Sequence, residues 1–264
     1  MMDQIEQLLH ICSVSAALGS ARAFELTKTP DMARLEKNGD ELSLKNVDQA
    51  VQLEMAEAIR AMAKQHAIPL NIKGEDIDPI ITKGAQLTVW LDCPDGTQNS
   101  VTFHRDFVSL VSVFDGDKPV ISVIDNPAME RVYRAVAGRG SRVLHHQLPR
   151  SDRYKNFPVI LTDWPWLTEK KALIAQFMGR LVGERLSFRM YGSAGYEATL
   201  VAEGQAAAMV HTDLKIWEFA ITLLISEAGG TVWFKRVSED SFAVVASMDH
   251  QLHDKLVKEF EQLV

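Results

Sequence analysis

The 264-residue sequence predicts a protein of the mixed α/β class, and two patterns along the chain support this assignment. In the first half, two amphipathic helices precede apolar runs joined by short turns, which predicts hairpins and antiparallel pairing. In the second half, strands and helices alternate, as they do in α/β proteins. The sequence contains no internal repeat, and no long flexible linker separates its two halves. We therefore expect one domain, 1–264, with sub-lobes 1–150 (two helices plus an antiparallel sheet) and 151–264 (an α/β lobe).

Apolar residues at helical spacing predict the first two helices. The first helix covers residues 3–24, and its apolar stripe is Ile5, Leu8, Leu9, Cys12 and Ala16. The second follows the polar stretch EKNGDELS, and its stripe is Val47, Val51, Met55, Ile59 and Met62. The segments IPLNIKGED and AQLTVWLD are predicted strands. Three more strands are predicted within DFVSLVSVFDGDKPVISVIDNPAMERVYRAVAGRG, with turns at Asp-Gly-Asp and Asn-Pro.

In the second half of the chain, strands and helices are predicted to alternate. Residues 138–156 are basic and are expected to be irregular. The predicted strands are then FPVILT, RLSFRM, AAMV, GTVWFK and FAVVAS. The predicted helices cover 168–182, 193–204, 213–229 and 249–263.

Composition excludes several classes of protein. The formal net charge of -7 argues against a binder of nucleic-acid polymers, which would carry a basic patch. No apolar run is long enough to span a bilayer, and the acidic N-terminal segment does not resemble a signal peptide. The two cysteines, Cys12 and Cys93, form no CxxC pair. A reducing compartment, and hence a cytoplasmic location, is the simpler interpretation.

Acidic residues gather at the ends of predicted elements. Glu75, Asp92 and Asp95 lie at or just past strand ends, Glu218 lies near the start of a predicted helix, and Asp48 begins the second helix. If neighbouring strands carry them, the first three would form one carboxylate cluster that needs protons or cations to neutralise it. Oxygen ligands without cysteine or histidine suit Mg²⁺ or Mn²⁺ and not zinc.

Each of these residues also has a purely structural interpretation. Pro-Asp-Gly within WLDCPDGTQNS is common turn chemistry, so this segment alone favours a solvated hairpin turn. Asp48 is favoured at a helix N-terminus by the helix dipole. Glu75 fits a solvated loop, and Glu218 fits a surface acid beside a tryptophan. Only the order and spacing of the whole set favour a metal site.

The segments NVDQAVQ, DCPDGT, YGSAGYEATLVAEG and IWEFAITLLISEAGG, which follow one another in this order along the chain, resemble the inositol monophosphatase family. This Mg²⁺-dependent, lithium-sensitive phosphatase superfamily also includes bisphosphate nucleotidases and fructose bisphosphatases. The resemblance covers about residues 40 to 235. It implies a layered α/β/α/β/α sandwich, a homodimer, and two or three Mg²⁺ ions per site, with Mn²⁺ as a possible substitute.

The resemblance also implies the metal ligands. Glu75, Asp92 and the backbone carbonyl of Pro94 would bind the first metal ion. Asp92, Asp95 and Glu218 would bind the second. Glu75 would in addition belong to the catalytic set, with two residues that act on the attacking water.

Those two residues are Thr97 and Asp48, since the resemblance implies that a hydrogen bond between them helps to activate the water. The amides of Gly96 and Thr97 would hold the phosphate. The leaving-group side would be lined by Asp95, Gly192, Ser193, Ala194 and His211. The α-helix beginning near Ser193 would point its positive end toward the anion.

The implied activity is Mg²⁺-dependent hydrolysis of a small phosphorylated metabolite, either inositol monophosphate-like or a 3'(2'),5'-bisphosphate nucleotide. The alternative is a weak or inactive relative that binds a phosphorylated ligand or a protein partner. Three departures from the family pattern support that alternative: Cys93-Pro94 in the metal loop, Glu218 in place of aspartate, and SLKNVD without a threonine. A further departure, His211 in place of an acidic residue, is equally consistent with a surface residue and with a substrate carrying a second acidic group.

Overall fold

The structure, a computed structural model, describes residues 3–28, 41–163 and 168–264, with the side chains of 41–46 and 168 left out. The first part of the chain forms α1 (Gln4–Leu26), α2 (Glu41–Gln65), β1 (Leu70–Gly74), β2 (Leu87–Asp95), α3 (Thr97–Thr102), β3 (Val108–Asp115), β4 (Lys118–Asn126), β5 (Arg131–Val136), β6 (Gly140–Val143) and β7 (His146–Gln147). The second part forms β8 (Val159–Thr162), α4 (Thr168–Arg180), β9 (Ser187–Arg189), α5 (Ala194–Ala202), β10 (Ala208–Lys215), α6 (Ile221–Glu227), β11 (Thr231–Arg236), β12 (Ser241–Ser247) and α7 (His250–Phe260).

Strands β1 to β7 form a seven-stranded sheet in chain order. The turn at 115–117 joins β3 and β4 as a hairpin, as predicted, and β2 to β7 pair antiparallel. The prediction of a purely antiparallel sheet is wrong at one edge, because β1 pairs parallel with β2. Parallel neighbours need a crossover connection, and residues 75–86 supply it.

The second sheet has five strands in the order β11-β12-β10-β8-β9. Strands β8, β9 and β10 are parallel, and α4 and α5 connect them. Strand β12 pairs antiparallel with both β10 and β11. This mixture explains the alternating pattern of the second half.

Three apolar clusters arrange the elements in five layers, which confirms the predicted α/β/α/β/α sandwich. Helices α1 and α2 cover one face of the seven-stranded sheet. Helices α5 and α6 lie between the two sheets, and α4 and α7 cover the outer face of the five-stranded sheet. The division into sub-lobes 1–150 and 151–264 stays a prediction.

Two predicted segments differ from the structure. Residues 138–156 are not wholly irregular, because they contain β6, β7 and a 3₁₀ turn at Arg153–Lys155. The predicted helix 213–229 is shorter, because pairing with β12 extends β10 to Lys215 and a turn at 216–220 precedes α6. Most of the polar stretch EKNGDELS lies outside the described residues. Within the described ranges, no helix is both long enough and apolar enough to cross a bilayer.

Candidate functional site

The DCPD segment is part of strand β2 and is buried. Asp92 and Asp95 are 3% and 6% exposed, and the pairing between β2 and β3 shifts register between them. A solvated hairpin turn, which the local sequence favoured, is therefore excluded. The register shift lets two aspartates three residues apart serve one site, although regular strand geometry would point them to opposite faces.

Three carboxylates meet at this strand end. Oxygen atoms of Asp92, Asp95 and Glu218 all lie within 4.8 Å of one another. Glu218 reaches them from the turn at 216–220, and not from a helix as predicted. The amide of Lys215 donates to Oε2 of Glu218 over 2.7 Å, so the longer glutamate side chain is fixed in place.

Burial and mutual repulsion make this carboxylate cluster difficult to ionise. Burial raises the pKa of Asp92 well above its usual value, and the charges of Glu75, Asp95 and Glu218 raise it further. Burial and the charge of Asp95 likewise raise the pKa of Glu218. Burial raises the pKa of Asp95 to about 6, against two hydrogen bonds that favour its anion. The cluster therefore requires protons or a cation for charge balance.

Glu75 lies beside the cluster and is more exposed than its three members. It follows β1, and its amide donates to the carbonyl of Leu91 over 3.3 Å. Its charge contributes to the raised pKa of Asp92 and of Asp48, so Glu75 lies near both carboxylates. Glu75 does not belong to the set of oxygens within 4.8 Å.

The predicted hydrogen bond between Thr97 and Asp48 is present. Oγ1 of Thr97 lies 2.9 Å from Oδ2 of Asp48 and 3.1 Å from the carbonyl oxygen of Pro94. Burial raises the pKa of Asp48 to about 7, and Asp76 and Glu75 add to the effect of burial. Oδ1 of Asp48 is buried without a hydrogen-bond partner among the described residues.

The segment Tyr191–Ser193 is here named the substrate loop, after the role that the family resemblance leads us to expect, and it lies directly against the end of β2. Oγ of Ser193 and the amide of Gly195 donate to Oδ2 of Asp95 over 2.9 Å and 2.6 Å. The N-terminus of α5, expected to face a substrate anion, thus directs its Gly195 amide at Asp95. Gly96 has a φ of 88°, and a Cβ there would lie 2.9 Å from Cβ of Ser193.

His211 does not lie on an open surface as one interpretation held. It is buried, and Nε2 lies 2.8 Å from Oε2 of Glu197. Burial opposes a charged imidazole, but the nearby Asp163 and the hydrogen bond to Glu197 outweigh burial and raise the pKa of His211 to about 9. Gly192 and Ala194, the remaining predicted residues, flank Ser193 beside Asp95.

Sequence reasoning missed Glu197 and Asn99, both of which bind the backbone of the substrate loop. Oε1 of Glu197 accepts from the amide of Tyr191, and Nδ2 of Asn99 donates to its carbonyl. Glu197 had a detectable signal, because it falls among Ala194, Ala198 and Val201 on the apolar face of α5. A charged residue in such a stripe indicates a buried partner.

The donor chemistry fits a hard divalent cation. The clustered ligands are carboxylate oxygens, which suit Mg²⁺ or Mn²⁺. The one sulfur atom within β2, that of Cys93, is buried, and burial raises its pKa well above the usual value. Cys93 therefore stays a neutral thiol, which suits these cations poorly.

Comparisons with known proteins identify the family of the chain. The sequence model of the inositol monophosphatase family matches residues 7–264. The chain is 28% identical over 210 residues to Nus factor SuhB of Escherichia coli (strain K12), covering 78% of this chain and 76% of that protein. It is 30% identical over 146 residues to inositol-1-monophosphatase of Bacillus subtilis (strain 168), covering 54% and 55% of the two chains.

Solved structures show the same fold. Mycobacterium tuberculosis SuhB superposes with a TM-score of 0.76 at 20% identity, covering 99% of this chain and 98% of that chain. The inositol monophosphate-bound enzyme SaIMPase-II gives 0.73 at 18% identity, covering 97% and 93%. Because the family match extends over nearly the whole sequence, the chain belongs to the inositol monophosphatase family.

Proposed function

We propose that this protein is a divalent-cation-dependent phosphomonoesterase that acts on a small phosphorylated metabolite. One observation carries the proposal: Asp92, Asp95 and Glu218 place carboxylate oxygens within 4.8 Å of one another, with both aspartates buried and Glu218 half-buried. Without a positive charge nearby, three ionised carboxylates at this spacing repel one another. Their presence together in the folded protein therefore favours a bound cation. Mg²⁺ is the expected ion, and Mn²⁺ is its closest substitute in ligand preference.

Asp92, Asp95 and Glu218 would hold one ion, and Asp92, Glu75 and the Pro94 carbonyl would hold another. A phosphomonoester carries close to two negative charges at neutral pH, which the carboxylates alone would repel. Divalent ions held by these residues would offset the negative charge of the phosphate and lower the pKa of a bound water molecule.

Thr97 and Asp48 would orient and deprotonate the attacking water. The hydroxyl of Thr97 donates its one proton toward Oδ2 of Asp48, which leaves the hydroxyl oxygen free to accept a hydrogen bond from water. As the water proton moves to Thr97, the Thr97 proton would move to Asp48, so Asp48 is the final base. Burial raises the pKa of Asp48 to about 7 in the metal-free protein, and a nearby cation would lower this pKa and so favour the carboxylate form that a general base needs. The amides of Gly96 and Thr97 would hold the phosphate oxygens.

The identity of the metabolite is a finer proposal. The SaIMPase-II relative binds inositol monophosphate. In this chain His211 replaces the acidic residue expected for sugar recognition, and Glu197 engages it. Because His211 is buried and its charge is paired with Glu197, it does not by itself select a second acidic group, so an inositol monophosphate-like substrate and a 3'(2'),5'-bisphosphate nucleotide are both proposed.

A second candidate function is binding without turnover. Several relatives with 27–28% identity are named Nus factors, and they align over 78% of this chain. Together with the altered residues Cys93, Pro94 and Glu218, this favours a protein that recognises a phosphorylated ligand or a protein partner through the same fold.

Two measurements on the purified full-length chain separate these functions. Mn²⁺ binding is measured by electron paramagnetic resonance. Phosphate release is measured at saturating Mg²⁺ from inositol monophosphate, adenosine 3',5'-bisphosphate, histidinol phosphate and fructose 1,6-bisphosphate. Metal-dependent release supports the phosphatase. Mn²⁺ binding without release from any of the four supports the binding protein, and failure to bind Mn²⁺ rejects the metal site.

A further inference from the structure

The substrate loop is held at both backbone groups of Tyr191. The amide of Tyr191 donates to Oε1 of Glu197 over 2.8 Å. The carbonyl of Tyr191 accepts from Nδ2 of Asn99 over 2.5 Å. Two side chains from different helices, α5 and α3, therefore fix the residue immediately before Gly192.

Asn99 connects the substrate loop to the helix that follows the acidic end of β2. Its Nδ2 also donates to the carbonyl of Asp106 over 2.9 Å. An amide nitrogen carries two hydrogens, so both bonds can form at once and neither donor is left unused. Because α3 begins at Thr97, Asn99 joins the substrate loop to the same short helix as the proposed phosphate-binding amides.

Glu197 is in turn held from the five-stranded sheet. Its second oxygen, Oε2, lies 2.8 Å from Nε2 of His211 on β10. Glu197 has no exposed surface. Both carboxylate oxygens thus have defined partners, and the side chain cannot turn away without leaving His211 or Tyr191 unpaired in the protein interior.

The spacing at this junction is narrow. A Cβ on Gly96 would lie 2.9 Å from Cβ of Ser193 and 3.3 Å from the carbonyl oxygen of Gly192. Oγ of Ser193 donates to Asp95 in the carboxylate cluster. A displacement of the substrate loop would change its contact with Gly96 and its Ser193 bond to Asp95, whereas the Gly195 amide of α5 would still hold the same oxygen of Asp95 in place.

We propose that Asn99 and the Glu197–His211 pair are positioning residues that set the place of the substrate loop relative to the carboxylate cluster, and so control affinity for a phosphate group without controlling affinity for the metal ion. This inference rests on the proposed function. It assigns His211 an indirect role through Glu197.

The first test replaces Asn99 with leucine, which has the same branching but no donors. Inorganic phosphate is the probe, titrated calorimetrically into the Mn²⁺-loaded protein at sub-millimolar concentration. We expect Asn99→Leu to weaken phosphate binding by about ten- to a hundredfold, the scale on which small misplacements act. Mn²⁺ affinity should stay within about twofold, since Asn99 contacts no carboxylate of the cluster. Gln98→Leu, the same chemical change at the exposed neighbouring position, is the matched control.

The second test uses a pair of variants at Glu197 and does not depend on metal or activity. Glu197→Gln keeps an acceptor for the Tyr191 amide, whereas Glu197→Met has a similar length and no acceptor. Nuclear magnetic resonance should show faster hydrogen exchange of the Tyr191 amide in Glu197→Met and near-normal exchange in Glu197→Gln. Should Glu197→Met fail to fold, Asn99→Leu alone decides.

The outcomes separate this inference from the proposed function. Unchanged phosphate affinity in Asn99→Leu, or equal loss of phosphate and Mn²⁺ affinity, overturns the positioning role. Equal Tyr191 exchange in the two folded Glu197 variants overturns it as well. A wild-type protein that binds neither Mn²⁺ nor phosphate rejects the proposed function, and the exchange measurement then decides whether Glu197 fixes the substrate loop.

Discussion

The hydroxyl of Thr97 lies 2.9 Å from Oδ2 of Asp48, and this bond joins α3 to α2 across the edge of the seven-stranded sheet. It connects the outer-layer helix α2 to the short helix that follows the carboxylate-bearing end of β2. It also leaves the other oxygen of Asp48 buried without a partner among the described residues. A water molecule beside Thr97 would supply that missing partner. The pair is therefore the best-placed proton acceptor of the proposed reaction.

Replacing Asp48 should reduce turnover and leave metal binding intact. Asp48→Asn keeps an acceptor for the Thr97 hydroxyl but removes the base, so we expect phosphate release to fall by roughly 10²–10⁴-fold. Mn²⁺ affinity should change little, because Asp48 lies outside the set of clustered oxygens. Initial rates and a Mn²⁺ titration check both parts. Asp78→Asn, an exposed acid nearby in the chain, is the control, and full activity of Asp48→Asn would remove Asp48 from the mechanism.

Asp92→Asn should abolish cation binding and activity together. Asp92 is a shared ligand in the proposed arrangement, so its loss weakens both ion positions. Without metal, the variant should be more stable than the wild type above pH 7 by about 1–3 kcal/mol, because one buried charge of a mutually repelling cluster is gone. Urea denaturation in EDTA measures the free energy of unfolding. Retained Mn²⁺ binding by the variant contradicts the ligand assignment.

The metal-free protein should lose stability as the pH rises from about 4 to about 7. The pKa values of Asp95 and Asp48 are raised to about 6 and about 7 in the folded state. A raised folded pKa gives stability that is fully present below the ordinary carboxyl pKa and is lost as pH rises through the folded value.

The free energy of unfolding, measured by denaturation in EDTA at pH 5 and pH 8, checks this expectation. Adding Mg²⁺ at pH 8 should restore stability, because an ion that binds only the folded state raises the free energy of unfolding. The gain should be about 2.7 kcal/mol when Mg²⁺ is at a hundredfold excess over its Kd. Stability that rises with pH across this window in EDTA, or that ignores Mg²⁺, would show that the carboxylates are not the controlling groups.

Shortening Glu218 should weaken cation binding even though aspartate is usual in the family. The glutamate reaches the cluster while its Oε2 accepts from the Lys215 amide, so its length is matched to this turn. Glu218→Asp withdraws the carboxylate by one methylene and disturbs its bond to the Lys215 amide. We expect Mn²⁺ binding to weaken by about tenfold, because losing a contact that orients a ligand typically has an effect of this size. Tighter Mn²⁺ binding by the variant would mean that the native residue is an impaired ligand.

A structural network between the sheets should contribute to stability independently of the site. Glu203 accepts from Arg131 and from the hydroxyl of Tyr133, each over 2.8 Å, and Gln205 also donates to it. Glu203→Ala leaves these groups unpaired, and we expect a loss of about 3–5 kcal/mol in the free energy of unfolding. The exposed pair Lys155–Asp152 supplies the control, since Asp152→Asn should change stability by less than about 1 kcal/mol. Equal effects of the two substitutions would contradict the account.

Reasoning from the sequence located the site residues that lie at the ends of strands and helices with a clear local pattern. Asp92 and Asp95 end an apolar strand, and the Thr97–Asp48 bond follows from a recognisable motif order. Reasoning from the sequence failed where distant pairing decides. Helical spacing continues through 213–229, but β12 extends β10 to Lys215 and displaces the helix start.

The same limit applies to the Glu197–His211 pair. The two residues lie 14 positions apart, and their contact depends on how α5 packs on β10. A histidine alone gives no indication of which neighbour it meets in the interior. Only the unexpected charge on the apolar face of α5 hinted at the arrangement.

The five-layer order places Asp92 and Glu218 on opposite sides of the boundary between the seven-stranded sheet and the central helices. An ion held by both would fasten these layers together, at a point where Asp95 already joins them through Ser193 and Gly195. Binding of the cation would then make it harder for these two layers to slide past each other. The pressure needed to unfold the protein should therefore be higher with the ion bound than without it, even when no substrate is present.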